Sequence, residues 1–217
     1  MKKAKKRSNK LLWISLLLFV LGYLTIIGYY WIFGGYFGNS SLTISIFVGL
    51  RPWSIVLFCA INIIVACLLV VYIKTQAKLD NRLWRFLMFA FIIAYVGLSI
   101  AAKTPDNTIS TDLHHFFSKS LFLIITFSTI LTIIIAEDSL TRFLASILSA
   151  YGIFFVVSYV LKSEIFMNNI LWHESAYIYA FFALTLVANR MRKIEKINLA
   201  AKTEQQNIEA SVCESTE

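Results

Sequence analysis

Six long, almost uninterrupted apolar runs, separated by short polar segments, organise this 217-residue chain. They cover about 11–33, 53–73, 84–101, 116–136, 143–161 and 170–189. Each approaches the roughly 20 residues, at about 1.5 Å of rise per residue, that an α-helix needs to cross a bilayer core. The fourth run, Ser120-Leu121-Phe122-Leu123-Ile124-Ile125-Thr126 and onward to Ala136, is rich in β-branched residues, which in water would favour a strand. In lipid only helices and closed barrels satisfy their own backbone, and a barrel strand would be about half as long, so the run reads as a helix. The pattern predicts an all-α fold: a polytopic, six-transmembrane-helix bundle occupying residues 11–190. A basic arm, 1–10, precedes it. The first run exceeds the apolar core of a secretory signal, about 7–15 residues, and reads as a retained helix. Residues 191–217 read as a basic helical extension lying near anionic lipid, followed by a polar, acidic, disordered tail. The longest loop, 34–52, opens on Gly34-Gly35-Tyr36-Phe37-Gly38-Asn39, and its Ser41–Val48 portion fits either an extended or an interfacial segment.

Composition sharpens the solvent. Hydrophobic residues make up 59% and charged residues 15%, against about 25% charged in a typical soluble domain, so the apolar excess calls for a bilayer. The net charge of +8 could suggest nucleic acid, but the basic residues flank apolar runs, as topology signals and anionic-lipid contacts do. Of the 20 Lys and Arg, all but Arg51, Lys103, Lys119 and Lys162 fall on the side of the two termini. The positive-inside rule then puts both termini in the cytoplasm. Trp13, Trp31, Trp53, Trp84 and Trp172 sit near run ends, as an aromatic belt does. Small residues at helical spacing (Ala90, Ala94, Gly97 and Ala101; Ala145 and Ser149; Ala176, Ala180 and Ala183) predict close helix contacts. Cys59, Cys67 and Cys213 show neither metal-site spacing nor a disulfide framework.

The polar residues within the runs are few. His114 and His115 stand where the fourth helix begins on the far side from the termini, with Ser118 and Lys119 one turn deeper and Asp112 and Asp106 close by. On a helix, residue 115 shares a face with 118 and 119. His173, Glu174 and Tyr177 stand at the same depth on the sixth helix. Polar groups at that depth are costly unless paired or facing a cavity, and a Lys119–Glu174 pair would offset both charges. One reading is that all of them snorkel, cap or pair with no ligand. Another is a headgroup pocket for a lipid or small amphiphile between helices four and six, contacted by His115, Ser118, Lys119, His173, Glu174 and Tyr177. A third is a metal- or haem-dependent enzyme. Zinc would draw on His114, His115, His173 and Asp112, and haem b on one histidine from each helix. No zinc-protease spacing supports that third reading. In the second helix Cys59, Asn62 and Ala66 share a face, which suits interhelical hydrogen bonding better than a conduction pathway. Arg51-Pro52-Trp53 reads as an interfacial anchor before a helix. Gly-rich phosphate loops and nucleophile elbows are absent from the sequence.

Two stretches carry a resemblance. Ile44-Ser45-Ile46-Phe47-Val48-Gly49-Leu50-Arg51-Pro52-Trp53-Ser54, running on to Phe58 and Asn62, resembles an I-S-x-Y-V-G-L-x-x-W-S pattern followed by F-x-x-x-N. Ser118-Lys119-Ser120-Leu121-Phe122, just after His115, resembles the S-R-x-L-F end of an H-R-x-x-S-R-x-L-F pattern. Both patterns are similar to those of the domain-of-unknown-function family 998, six-helix bacterial membrane proteins. Phe47 and Lys119 depart from it, standing where the family has Tyr and Arg. The resemblance implies a six-helix bundle over residues 11–190 and no particular reaction. The expectation is therefore a non-enzymatic membrane protein with no cofactor. Its partners would be membrane lipids and a second copy of the chain, not nucleic acid.

Overall fold

The computed structural model describes residues 2–37, 42–75, 82–101 and 108–214, and among these every regular element is a helix. In chain order they are α1 (Lys2–Phe33), α2 (Ile44–Gly49), α3 (Pro52–Thr75), α4 (Arg82–Ile100), α5 (Thr108–Ile135), α6 (Ser139–Val160), α7 (Glu164–Met167) and α8 (Ile170–Glu214). Six of them, α1, α3, α4, α5, α6 and α8, are long and apolar enough to cross a membrane. The chain is an integral, multi-pass membrane protein with an all-α architecture.

The six expected runs all appear, with ends displaced by local chemistry. α3 starts on Pro52, whose fixed φ suits the first helical position and whose missing N–H costs nothing there. The α5–α6 turn is tight because the Asp138 carboxylate accepts from Thr141 N at 2.6 Å while Arg142 Nε donates to Ala136 O at 2.7 Å. α6 ends where Lys162 takes a left-handed φ of 50° and Ser163 N donates back to Ser158 O. α5 begins at Thr108, earlier than the apolar run, so His114 and His115 lie inside the helix rather than at its mouth. The 34–52 loop holds the short helix α2, whose Ile44, Phe47 and Val48 are buried. α8 runs to Glu214, through the residues expected to be disordered. No Gly or Pro follows Gly152 in the chain, so the tail contains no residue that would break the helix.

The spanning helices close into a ring in chain order. α1 packs on α3, α3 on α4, α4 on α5, α5 on α6, α6 on α8, and α8 returns to α1. α8 is drawn furthest inward: it also touches α5, and its Phe181 ring lies 5.4 Å from Phe91 on α4. It is the least apolar of the six and the most buried, whereas each of the others exposes most of its crossing stretch. The other five helices shield its polar groups from lipid, where each would be costly.

Small residues serve as expected on α4 and α6, where Ala94, Ala101, Ala145 and Ser149 are buried. On α8 they do not. Ala176 and Ala183 are exposed, and the packed face is Tyr177, Ile178, Phe181, Phe182 and Leu184. Aromatic rings fill the space inside the ring of helices, including a near-parallel Phe91–Tyr95 pair at 5.8 Å.

Candidate functional site

The sequence-predicted polar residues do lie at the membrane face opposite the termini, and His114, His173, Glu174 and Tyr177 are each bonded to a neighbour of their own. On α5, His114 is buried and its Nδ1 pairs with Ala101 O at 2.9 Å, tying α5 to the last turn of α4. His115 is half-buried, its ring centroid 6.0 Å from that of His114. Ser118 is half-buried and Lys119 exposed. On α8, His173 shares a 2.7 Å hydrogen bond through Nδ1 with Tyr151 OH of α6 and stacks on Phe166 of α7, centroids 4.6 Å apart. Glu174, the next residue, turns by about 100° around the helix and meets a different element. Its Oε2 accepts from Ile44 N, the first amide of α2, at 3.3 Å. Tyr177 is fully buried and bonds Thr126 Oγ1 at 2.7 Å, which is where α5 and α8 meet.

Among the described residues no ion pair joins Lys119 to Glu174; the lysine is exposed and the carboxylate holds α2. Nor do His, Cys, Asp and Glu among these residues gather into a group of three that could hold a metal ion. Asp112 is exposed, and Asp106 lies outside the described residues.

The same face carries a cavity that sequence reasoning did not single out. It measures about 290 Å³ and is lined by Tyr29, Tyr30, Phe33, Gly34, Tyr36, Leu50 and Arg51. The chain makes it by reversing direction twice. α1 ends at Phe33, where Gly34 N and Tyr36 N both donate to Tyr30 O and Gly35 takes a φ of 75°, a conformation that favours glycine. That turn brings Tyr36 over Tyr30, centroids 6.3 Å apart. On the other side, Ser54 Oγ lies 2.8 Å from Val48 O and 2.7 Å from Arg51 O, and 3.0 Å from Tyr30 OH, locking the α2–α3 corner against α1. Trp53 stacks on Tyr30 and meets Tyr29 edge-on, which buttresses the outer wall.

No family model, no curated protein and no solved structure matches this chain. The cavity's chemistry must therefore be read from its own residues. Its wall is aromatic, and Tyr30 is structurally engaged. The Arg51 side chain and the Tyr29 and Tyr36 hydroxyls have no hydrogen-bond or ion-pair partner among the described residues. A signal was present in the sequence: four aromatics at Tyr29–Trp31 and Phe33, two glycines, then Tyr36 and Phe37, facing one of the four basic residues on that side. Of these the sequence reads only Trp31 as belt and Arg51 as anchor, with no instruction for the group to meet; the Gly35 turn and the Ser54 bonds bring them together.

Proposed function

We propose that this chain is a non-enzymatic protein of a bacterial cytoplasmic membrane that holds a lipid or small amphiphile at its outer-leaflet face. The observation that carries the reading is the aromatic cavity at the α1–α2–α3 corner, whose rings and single guanidinium suit a molecule with an apolar body and a polar head. The α5–α8 polar residues offer less support for a pocket. His114, His173, Glu174 and Tyr177 each bond to a structural neighbour, which is also why acid–base or ligand chemistry there is the less favoured reading. The resemblance to family 998 agrees with a six-helix membrane protein of this kind and adds no activity.

The test is native mass spectrometry of the full chain released from a mild maltoside detergent. The wild type is expected to retain a lipid adduct. Leu50→Trp, which fills the cavity, is expected to lose it while keeping its thermal stability. An adduct that survives Leu50→Trp at wild-type occupancy overturns the reading. The orientation rests on the basic residues gathered on the side of the termini. A topology reporter fused to the end of α8 is expected to report the cytoplasm, and an exported signal reverses the assignment.

A further inference from the structure

We infer that the amphiphile held at the α1–α2–α3 corner is a phospholipid, recognised by its phosphate through Arg51; this rests on the cavity reading above. Four observations converge. The first is depth. Trp53 is partly exposed and Tyr29 is exposed beside it, the placement of side chains that anchor at headgroup level, so the cavity opens where a leaflet keeps its phosphates. The second is size. A volume of about 290 Å³ lies at the small end of ligand pockets, which suits a headgroup with its acyl chains left outside. The exposed faces of Ile32 and Phe33 give those chains an apolar surface to run along.

The third observation is charge. Arg51 lines the cavity, and among the described residues no carboxylate lines it with the arginine. Among the described residues the guanidinium is without an ion-pair or hydrogen-bond partner. A planar guanidinium presents paired N–H donors that match two phosphate oxygens, a geometry that a lone ammonium cannot reproduce. The fourth is the neutral donors. The hydroxyls of Tyr29 and Tyr36 lie on the same cavity, unbonded among the described residues, and each can donate to a phosphate oxygen. Lys119 and Lys162 are also exposed on this face of the protein, but neither lines the cavity. Arg51, though exposed as they are, differs from them in lining the cavity.

The experiment uses the full chain in maltoside micelles supplied with equal amounts of phosphatidylglycerol and diacylglycerol of matched acyl chains, with bound lipid counted by native mass spectrometry. The wild type is expected to prefer the phospholipid. Arg51→Gln is expected to lower phospholipid retention by about tenfold, the loss typical of removing one charge-assisted contact, with diacylglycerol unaffected. Arg51→Lys should recover part of the difference, and Lys162→Gln should change nothing. Equal retention of both lipids by wild type and Arg51→Gln overturns phosphate recognition and leaves amphiphile binding standing; retention of neither lipid by the wild type removes both. Loss of phospholipid on Lys119→Gln but not on Arg51→Gln overturns the assignment in favour of the α5–α8 residues. Inorganic phosphate at millimolar concentration should not displace the phospholipid. Complete displacement overturns the lipid as occupant in favour of free phosphate.

Discussion

Gly152→Ala is expected to destabilise the bundle by about 2–3 kcal/mol, through overpacking of a site that has no room for a methyl group. Gly152 lies on α6 where α5, α6 and α8 meet. A Cβ there would overlap the Tyr177 hydroxyl and would fall 2.8 Å from Thr126 Oγ1 and 2.9 Å from Tyr177 Cζ. Tyr177 cannot swing clear. It is fully buried, with its ring against those of Phe122, Phe155 and Tyr151 at centroid distances of 6.1, 5.7 and 5.7 Å. The pairing chemistry makes the prediction specific. Tyr177→Phe alone should cost about 1 kcal/mol, the loss of the bond to Thr126. Combined with Gly152→Ala it removes the oxygen that the new methyl meets. The double variant should then be more stable than the sum of the two single losses, by about 1 kcal/mol or more. Unfolding of all four proteins in mixed micelles, followed by circular dichroism against denaturing detergent, measures the cycle. Simple additivity would show that Tyr177 moves aside and that this junction is not rigid.

Asn62→Leu is expected to cost about 1–2 kcal/mol, at the upper end of interhelical hydrogen bonds measured within membranes. Asn62 is fully buried on α3. Its Nδ2 donates to Ser99 Oγ on α4 at 2.7 Å, and its Oδ1 accepts from Tyr95 OH, also on α4. Ser99 Oγ in turn donates to Tyr95 O, and Cys59 Sγ lies 3.0 Å from Ser99 O, so one side chain clasps the two helices. Leucine keeps the approximate volume and removes the amide acceptor of Tyr95 OH, whose remaining hydrogen-bond neighbour is Tyr23 on α1. Adding Tyr95→Phe removes the hydroxyl that loses its amide acceptor, so the double variant should recover part of the loss. If Asn62→Leu is as stable as wild type while lipid retention falls, Asn62 belongs to a ligand pathway and not to the clasp.

Both junctions show why the fold was only partly legible in the chain. Asn62 was readable as an interhelical donor because an amide in mid-membrane has few other uses. Its partners were not, since Tyr95 and Ser99 are one hydroxyl each among many. Gly152 looked like any glycine in an apolar run; only the position of Tyr177, 25 residues later in the sequence, makes it a contact point. The candidate site divides the same way. The depth of His114, His115, His173 and Glu174 followed from where the apolar runs begin. Their direction did not. Adjacent residues on a helix point about 100° apart, so His173 reaches α6 while Glu174 reaches α2. The cavity at Arg51 was hidden for a further reason. Its residues come from two helix ends and a loop, and a left-handed Gly35 aligns them.

What the sequence determined by itself is the solvent and the count. A bilayer demands about 20 apolar residues per crossing and satisfies no backbone group, so six such runs can only be six helices. What the tertiary structure alone decided is which faces meet. In water a helix writes its inner face into an apolar stripe. In lipid the outer face is as apolar as the inner one, and helices associate by close packing and a few hydrogen bonds. Leu113 and Leu121 on α5 are equally apolar, yet one faces outward and the other is fully buried. The ring order of the helices, the inward position of α8 and the meeting of Arg51 with the tyrosines of α1 arise from shape complementarity, which a linear pattern of polarity does not record.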